Sequence, residues 1–534
     1  MQSQVGFKSL ISGFIESVDR FPTRTAIEVS GSSLTYEQLG HRISDLAETI
    51  KANDDSASAL IAVLAHRSLT AYVAVLGALA AGKGYVPLNP KFPPKRLRTM
   101  LYRSGASTII VGLEAYPILE RLLENTEHPF TLILPDATES GYLPAGCANH
   151  QVIRLKGMER GSTVPEVPQV SPEYVAYLMF TSGSTGEPKG VPVSQSNVMQ
   201  YVRYVCDRYK VNERDRFSQM FDLTFDLSVH DMFVCWQRGA CLYCPTESEV
   251  MTPAKFIRDN HLTMWFSVPS TIGLTQKFGL LRDGAFPSLR VSLFCGEALP
   301  AAYADAWHRA ASSSVVENLY GPTEATISIT HYTWDDDKSP GMCLNGIVPI
   351  GTTFEGQESC IIDSKRHVLP VGEMGELCLA GSQVTAGYWK TPKKTGEQYI
   401  TIPSKGNSIW YRTGDLAKND AEGCLYYLGR IDNQVKVRGY RVELGEVEYQ
   451  VRQASDREEV VAIAWPTNDG SAQGIVAFIE GQCHLEKQSI IERCSEFLPD
   501  YMVPRNIYFL EALPRNANGK LDRRKLYSFL EKGD

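Results

Sequence analysis

A segment rich in glycine and hydroxyl residues, at positions 181–190, has the residue types that bind phosphate. It reads Thr-Ser-Gly-Ser-Thr-Gly-Glu-Pro-Lys-Gly and follows an apolar, strand-like run at residues 174–180. Small residues leave backbone N–H groups free to surround phosphate oxygens, and Lys189 can offset their negative charge. The sequence therefore predicts a phosphate-binding loop between a strand and a helix.

The loop differs from the common P-loop of kinases and GTPases. That motif places Ser or Thr directly after Gly-Lys, whereas Lys189 lies between Pro188 and Gly190. A kinase or a GTPase is therefore disfavoured. By itself the segment also fits a flexible Gly/Ser surface loop, so its interpretation depends on the rest of the chain.

Three charged residues elsewhere also have types suited to binding or catalysis. Asp222 and Asp226 lie in the segment Phe-Asp-Leu-Thr-Phe-Asp, and Lys520 follows Asn-Gly near the C-terminus. A buried carboxylate needs a partner, but an aspartate can equally cap a turn. A lysine after Asn-Gly can equally lie in an exposed turn. The local sequence leaves these alternatives open.

The composition is that of a multi-domain globular protein. The chain has 534 residues, of which 43% are hydrophobic and 21% charged, so we expect a large body and a smaller appended domain. A net charge of -8 argues against a nucleic-acid-binding protein and against electrostatic attachment to a membrane. The twelve cysteines lack the spacing of a disulfide scaffold, which favours a reducing, cytoplasmic location.

Other patterns predict neither a metal site nor a membrane span. Cys241 and Cys244 have no second pair to complete a zinc site and are interpreted as two strand cysteines. Residues 1–20 place apolar side chains at helical spacing between charges, which predicts a packed amphipathic helix instead of a signal peptide. The apolar run at residues 71–81 is shorter than the roughly 20 residues that cross a bilayer.

Two domains are predicted, residues 1–431 and residues 432–534. In the first, apolar strand-like runs alternate with helices as in layered α/β proteins; the runs are at residues 60–64, 107–111 and 129–134. The helix after the loop should have Ser194 as its N-cap and one buried face, formed by Val198, Tyr201, Val202 and Val205.

The later part of the chain has a different pattern. From about residue 341, short strands between glycines predict a β-rich subdomain; they include residues 375–380 and 424–428. The second domain should be small and α+β, with helices at residues 446–453 and 488–497 and strands at residues 459–465 and 475–479.

A series of segments in this order resembles the adenylate-forming (ANL) superfamily, which includes acyl-CoA synthetases and the adenylation domains of nonribosomal peptide synthetases. The match covers nearly the whole chain. Besides the phosphate loop, the segments are LTYEQL (34–39), GYVPLNP (84–90), FDLSVHDMF (225–233), NLYGPTEAT (318–326), GELCLAG (375–381), YRTGDL (411–416), GRIDNQVKVRGYRVELGEVE (429–448) and LPRNANGKLDR (513–523).

The resemblance implies an α/β N-terminal domain of several subdomains and a small, mobile α+β C-terminal domain that rotates about a hinge at Asp432. It also implies ATP and Mg²⁺ as cofactors, with Lys520, Thr323 and Glu324 as catalytic residues. Lys520 would neutralise developing charge during adenylation, Thr323 would contact the α-phosphate and Glu324 would hold Mg²⁺.

The same resemblance assigns the nucleotide contacts. The phosphates would be bound by the loop residues Thr181, Ser182, Gly183, Ser184, Thr185 and Lys189. Tyr320 would stack on adenine, Asp415 would accept hydrogen bonds from the ribose hydroxyls, and Arg430 would contact the ribose.

For the substrate, the resemblance assigns Asp226 to the α-ammonium group of an amino acid. The remaining pocket positions would be Leu227, His230, Ser267, Leu293, Cys295, Gly296, Leu319, Ile327 and Ser328. None of these carries a charge that would match a charged side chain, and the large apolar residues among them favour a small substrate. His230 is equally compatible with a buried histidine that contacts no substrate.

Within the superfamily the middle of the chain most resembles D-alanine:D-alanyl carrier protein ligases. It departs from them at Leu319, where a smaller polar residue is usual, and at His230, where methionine is usual. The extra bulk makes glycine a candidate beside alanine, as in the related glycine carrier protein ligases. Glycine, D- or L-alanine and serine are not distinguished.

The expected partner is a separate carrier protein with a phosphopantetheine thiol, since no carrier motif follows Lys520. A role in aminoacylation of the cell envelope, at lipid A or teichoic acid, is one possibility. Alternatives are activation of another small amino acid for secondary metabolism, an acyl-CoA synthetase, and a catalytically dead relative that serves as a binding protein. No nucleic-acid partner and no membrane insertion are expected.

Overall fold

The structure is a computed structural model with two compact units. It describes residues 7–54, 58–124, 126, 128–137, 145–155, 164–183, 187–468, 471–481, 484–515 and 521–533. The first unit lies within Met1–Pro90, Met100–Phe180 and Gly190–Gly429. The second lies within Lys91–Thr99, Thr181–Lys189 and Arg430–Asp534.

The strands, in chain order, are β1 (Thr25–Val29), β2 (Ser32–Thr35), β3 (Leu60–Leu64), β4 (Gly84–Leu88), β5 (Thr108–Val111), β6 (Thr131–Leu134), β7 (Gln151–Arg154), β8 (Val175–Thr181), β9 (Lys189–Ser194), β10 (Arg216–Ser218), β11 (Cys241–Cys244), β12 (Met264–Ser267), β13 (Val291–Phe294), β14 (Val315–Tyr320), β15 (Thr330–Thr333), β16 (Thr352–Thr353), β17 (Gln357–Ile362), β18 (Gly375–Gly381), β19 (Tyr399–Thr401), β20 (Ile409–Asn419), β21 (Leu425–Arg430), β22 (Gln434–Val437), β23 (Tyr440–Glu443), β24 (Val460–Ala464), β25 (Thr467–Asn468), β26 (Ser471–Ala472), β27 (Ile475–Glu480) and β28 (Asn506–Leu510).

The α-helices are α1 (Ser12–Arg20), α2 (Tyr36–Asn53), α3 (Leu69–Ala80), α4 (Pro94–Ser104), α5 (Tyr116–Leu123), α6 (Gln195–Arg208), α7 (Leu227–Trp236), α8 (Glu247–Val250), α9 (Pro253–Asp259), α10 (Ser270–Lys277), α11 (Ala301–Ala310), α12 (Ser339–Met342), α13 (Pro392–Gln398), α14 (Leu444–Ser455), α15 (Lys487–Ser495) and α16 (Arg523–Gly533).

The first unit is built around two large sheets. A nine-stranded sheet has the order β16-β15-β14-β13-β12-β10-β11-β1-β2, with β14 through β1 parallel and antiparallel strands at both edges. A seven-stranded sheet has the order β7-β6-β5-β3-β4-β8-β9 and pairs β7 through β8 in parallel. Every residue of β3, β4, β5, β11, β12 and β13 is buried, as expected for parallel strands that are covered on both faces.

Capping residues fix the starts of two helices that cover these sheets. Thr35 and Gln38 form a capping box at α2. Ser194 and Asn197 form another at α6, where each side chain accepts from the other's backbone N–H at 3.2 Å. Each pair satisfies two N–H groups that a helix start otherwise leaves unbonded.

A smaller antiparallel sheet follows in the same unit, with the order β17-β18-β20-β19 and with β21 beside β20. The second unit contains a three-stranded sheet, β24-β27-β28, and a four-stranded sheet, β23-β22-β26-β25. Helices α14 and α15 contribute Val447, Val451, Ile490 and Cys494 to its core.

The predicted fold class is confirmed: a large mixed α/β domain and a small α+β domain. The strand at residues 60–64, the Ser194 cap and the strand position of Cys241 and Cys244 are as expected. The N-terminal prediction is wrong in part, because α1 begins only at Ser12 and Phe7 is 38% exposed. Residues 1–6 lie outside the described ranges.

Candidate active site

Asp226 lies directly before α7, and its carboxylate is buried in the first unit. It occupies the N-cap position of that helix without capping it, since its side chain makes no bond to the helix N–H groups. Its Oδ2 instead accepts from the N–H of Ile327 at 3.2 Å. Burial raises the pKa of Asp226 to about 6, although hydrogen bonds from Thr323 and Ile327 oppose the shift.

The turn that presents the Ile327 N–H has an unusual backbone. Thr326 and Ile327 have φ values of 58° and 72°. Left-handed conformations of β-branched residues cost about 1–3 kcal/mol and cluster at functional sites. A Cβ on Gly321 would lie 2.5 Å from the Cα of Ser328, so glycine is required for this close approach.

Asp222 is held by a different set of partners. Its Oδ2 is 2.8 Å from His66 Nδ1 and accepts from Asn89 Nδ2 at 2.8 Å. Its Oδ1 accepts from the N–H and hydroxyl of Thr224 at 2.9 and 2.5 Å. Burial alone would raise the pKa of Asp222, but the hydrogen bonds from His66 and Thr224 leave that pKa below its usual value. The turn-capping interpretation of this residue agrees with these contacts.

His230 is fully enclosed, on α7. Its Nδ1 is 2.8 Å from the hydroxyl of Tyr201, which in turn lies 3.4 Å from the hydroxyl of Ser328. Nε2 is buried and has no hydrogen-bond partner among the described residues. Burial lowers the pKa of His230 to about 3, so the ring is neutral at physiological pH.

The other predicted pocket residues lie in the first unit, and all of them except the half-buried Gly296 are buried. The N–H of Cys295 donates to the carbonyl of Ser267 at 3.2 Å, where β12 and β13 end. Gly296, with φ of 95°, approaches Leu227. Leu227, Cys295 and the three large apolar residues share one hydrophobic cluster; those three are Leu293, Leu319 and Ile327.

Glu324 and Asp415 are also buried and are approached by tyrosines. Glu324 Oε1 accepts from the hydroxyl of Tyr388 at 2.8 Å. The hydroxyl of Tyr320 donates to Asp415 Oδ2. A buried carboxylate such as Glu324 fits the hard oxygen donor that Mg²⁺ prefers, and Mg²⁺ is commonly held by one or two carboxylates plus phosphate oxygens. The described ranges contain no group of three or more His, Cys, Asp or Glu residues that could hold a metal ion.

The residues of the predicted phosphate loop belong to the second unit. Thr181 ends β8, and its buried Oγ1 has no partner among the described residues. Ser182 Oγ donates to the carbonyl of Arg441 at 2.8 Å, and the N–H of Gly183 donates to Glu446 at 3.2 Å. Lys189 is buried at the start of β9.

The predicted hinge residue, Asp432, is in the same unit. Arg430 donates to both carboxylate oxygens of Asp432, at 2.9 and 2.5 Å. Burial would raise the pKa of Asp432, but the Arg430 charge and hydrogen bonds lower it. Ser184, Thr185 and Lys520, which the sequence also predicts as site residues, lie outside the described ranges.

Several tyrosines near the site were not predicted as functional. Tyr201 was expected only on the apolar face of α6, yet its hydroxyl contacts His230. Tyr388, whose hydroxyl donates to Glu324, was also not predicted as a site residue. Tyr85 and Tyr177 face each other on β4 and β8 at 5.9 Å between ring centroids, and their buried hydroxyls have no partner within the described part of the chain. The sequence pattern around these tyrosines indicates only that they can pack in a hydrophobic core.

Across the helices of the described ranges, none has both the length and the apolar composition needed to cross a bilayer.

Comparison with known proteins agrees with this architecture. Residues 14–389 match the family described as AMP-binding enzyme, and residues 446–520 match the AMP-binding enzyme C-terminal domain. Tyrocidine synthase 3 of Brevibacillus parabrevis is 30% identical over 97% of the chain, and surfactin synthase subunit 2 of Bacillus subtilis is 32% identical over 96%. The chain spans only 8% and 13% of the lengths of these two proteins.

Solved structures that are similar over the whole length of the chain include an adenylation domain. The adenylation domain AlmE of Vibrio cholerae, crystallised with glycyl-adenosine-5'-phosphate, is 31% identical, with a TM-score of 0.89 over 100% of this chain and 99% of that one. The family matches cover both the large and the small domain. The chain therefore belongs to the AMP-binding enzyme family, within the adenylate-forming superfamily.

Proposed function

We propose that the protein activates a small amino acid as its aminoacyl-adenylate, with release of pyrophosphate, and transfers it to the phosphopantetheine thiol of a separate carrier protein. Glycine and alanine are the favoured substrates. The protein would act in the cytoplasm. Aminoacylation of a cell-envelope acceptor is one use of the product. Activation of a small amino acid for secondary metabolism is the second candidate, because the similar curated proteins are peptide synthases.

The buried carboxylate of Asp226 is the observation that carries this proposal. Its hydrogen-bond donors are Ile327 and Thr323, and burial raises its pKa to about 6 in spite of them. A buried charge is stabilised most effectively by an opposite charge with hydrogen bonds. An α-ammonium group supplies both, whereas a fatty or aryl acid supplies neither.

The preference for a small side chain rests on volume and on similarity. Leu293, Leu319 and Ile327 are each 1% exposed in one hydrophobic cluster. Apolar pockets discriminate one methylene by only about 1–3 kcal/mol, so glycine and alanine are close competitors. The bound glycyl-adenylate of the similar AlmE structure supports the same size class.

In the proposed first step, the substrate carboxylate attacks the α-phosphate of ATP and pyrophosphate leaves. Thr181, Ser182, Gly183, Ser184, Thr185 and Lys189 would bind the phosphates, and Thr323 would contact the α-phosphate. Glu324 would hold Mg²⁺, which would offset phosphate charge. Tyr320, Asp415 and Arg430 would bind the nucleoside. Lys520 would neutralise the charge that develops between carboxylate and phosphate.

In the proposed second step, residues 432–534 act as a mobile domain that rotates about Asp432. The carrier thiol then attacks the adenylate carbonyl and AMP leaves. Arg430 binds Asp432 in the present conformation through two hydrogen bonds. Rotation about Asp432 would either break the ion pair with Arg430 or move both residues together.

ATP–pyrophosphate exchange with the purified protein tests the substrate class. The panel would contain glycine, both alanine enantiomers, L-serine, L-proline, larger amino acids and short fatty acids. A dominant signal with glycine or alanine is expected. A signal only with a fatty or aryl acid would overturn the assignment of Asp226.

The acceptor is tested separately. The loaded enzyme would be offered free coenzyme A or a phosphopantetheinylated carrier protein, and thioester formation would be followed by mass spectrometry. Faster transfer to the carrier is expected. Preferential transfer to coenzyme A would favour an acyl-CoA synthetase instead.

The role of Lys520 is tested by measuring the two steps apart. Lys520→Ala should lower adenylate formation by about 100- to 1000-fold and leave transfer from preformed adenylate nearly unchanged. Lys525→Ala is the matched control, because Lys525 is an exposed lysine on α16. Equal loss of both steps in Lys520→Ala would contradict the assigned role.

A further inference from the structure

Two cysteines lie directly opposite each other in the small antiparallel sheet of the first unit. Cys360 on β17 pairs with Cys378 on β18. Opposed residues in antiparallel strands have Cα atoms about 4.5–5.5 Å apart, within the roughly 4.4–6.8 Å that a disulfide spans. Directly opposed residues of antiparallel strands also have their side chains on the same face of the sheet. Strand register and side-chain direction therefore both bring the sulfur atoms together.

The two thiols differ in their electrostatic surroundings and in their exposure. The hydrogen bond from Cys378 and the nearby charge of Lys405 lower the pKa of Cys360 although burial opposes the shift. The same hydrogen bond and burial raise the pKa of Cys378. Cys360 is 7% exposed and Cys378 is fully buried. Because the thiolate is the nucleophile, Cys360 is the thiol that reacts first and Cys378 the one that resolves.

We propose that Cys360 and Cys378 form a reversible disulfide site that is oxidised by small hydroperoxides. The Cys360 thiolate attacks the peroxide oxygen, which breaks the O–O bond and gives a sulfenic acid. The Cys378 thiol then attacks that sulfur, so an S–S bond forms and water leaves. For hydrogen peroxide, two thiols and one peroxide yield one disulfide and two waters.

The position of the pair gives the bond a structural consequence. The disulfide would fasten β17 to β18. In turn β18 pairs with β20, where Cys378 lies opposite Arg412. The same strand carries Asp415. Oxidation would therefore brace the sheet that supports a predicted nucleotide contact, without using any residue of the substrate pocket.

The test treats the full-length protein with hydrogen peroxide, unfolds it in urea at neutral pH with an alkylating agent, and maps tryptic peptides without reductant. Cleavage at Lys365 and Arg366 separates the two cysteines. A linked pair two hydrogens lighter than the separate peptides is expected, and dithiothreitol should abolish it. Recovery of both cysteines alkylated, or of Cys360 as a sulfinic acid without a link, would overturn the proposal.

Two variants sharpen the result. Cys343 is in the same tryptic peptide as Cys360, so Cys343→Ser is the matched control and should keep the link. Cys378→Ala should leave a sulfenic acid at Cys360 that dimedone traps. If dimedone instead labels Cys378 in Cys360→Ala and nothing in Cys378→Ala, the assigned order of attack is wrong. Circular dichroism before oxidation establishes that each variant is folded.

Discussion

Asp222 and Asp226 are carried by the same short segment, yet their surroundings give the two carboxylates opposite electrostatics. Asp222 has hydrogen-bond partners on both oxygens, and its pKa is lowered although burial opposes this. Asp226 is bonded by Ile327 and Thr323, and burial raises its pKa to about 6. A satisfied buried charge stabilises a fold, whereas an under-satisfied one is available to a ligand.

The largest expected effect follows from removing the under-satisfied charge. Asp226→Asn should lower kcat/KM for the amino acid by about 100- to 1000-fold, because truncating one partner of a buried charge pair costs about 2–5 kcal/mol. ATP–pyrophosphate exchange measures it. Asp222→Asn is the control and should change the amino-acid KM only slightly. Equal losses in the two variants would break the distinction between the aspartates.

The free energy of unfolding should show the opposite order of effects, with the larger loss on substitution of Asp222. Asp222→Ala removes the acceptor shared by His66, Asn89 and Thr224, so the free energy of unfolding should fall by about 2–4 kcal/mol. Asp226→Asn should leave stability unchanged or raise it at pH 7, because a raised pKa means that ionised Asp226 costs stability above pH 6. Urea denaturation followed by fluorescence compares the midpoints. A larger loss for Asp226→Asn would contradict the comparison.

The pH dependence of amino-acid binding separates the same two groups. Asp226 takes up a proton as pH falls through about 6, and a neutral carboxyl cannot pair with an ammonium group. The amino-acid kcat/KM should therefore fall about fivefold between pH 6 and pH 5. Asp222 stays ionised in this range, because its pKa is lowered. The Asp226→Asn variant should lack the transition near pH 6. A transition caused by titration of ATP would remain in that variant, so the comparison distinguishes the two causes.

Local sequence predicted those parts of the molecule whose structure is set by nearby residues. The buried apolar run of β3 and the Ser194 cap of α6 are two examples. The start of α1 was not predicted correctly. Leu10 and Ile11 precede the helix but are buried, so their apolar side chains continue the spacing that was interpreted as helical.

The site depended on contacts between distant parts of the chain. Asp226 was predicted from the resemblance to the superfamily. No local pattern predicts that it accepts a hydrogen bond from the N–H of Ile327, because that contact requires a left-handed backbone at Thr326 and Ile327. The bond between Tyr201 and His230 likewise joins two helices whose sequences predict only packing. Long-range partners of polar atoms are set by tertiary structure, which periodicity does not encode.

The smallest expected effect lies at the edge of the Asp226 pocket. Tyr201→Phe removes the hydroxyl that bonds His230 Nδ1, so the ring loses its one hydrogen bond within the described structure. Loss of one neutral hydrogen bond costs about 0.5–1.5 kcal/mol. We expect a two- to fivefold change in amino-acid kcat/KM with the KM for ATP unchanged, measured by pyrophosphate exchange with glycine, alanine and serine.

Tyr204→Phe is the matched control for that variant, because Tyr204 is on the same helix and stacks on Phe354 at 4.4 Å without contacting His230. If Tyr201 acts by orienting His230 beside Ser328, only Tyr201→Phe should alter the ranking of the three amino acids. Equal shifts in both variants would mean that α6 supports the pocket by packing alone. Asp226 would then be a predicted substrate contact, whereas His230 would have only a packing role.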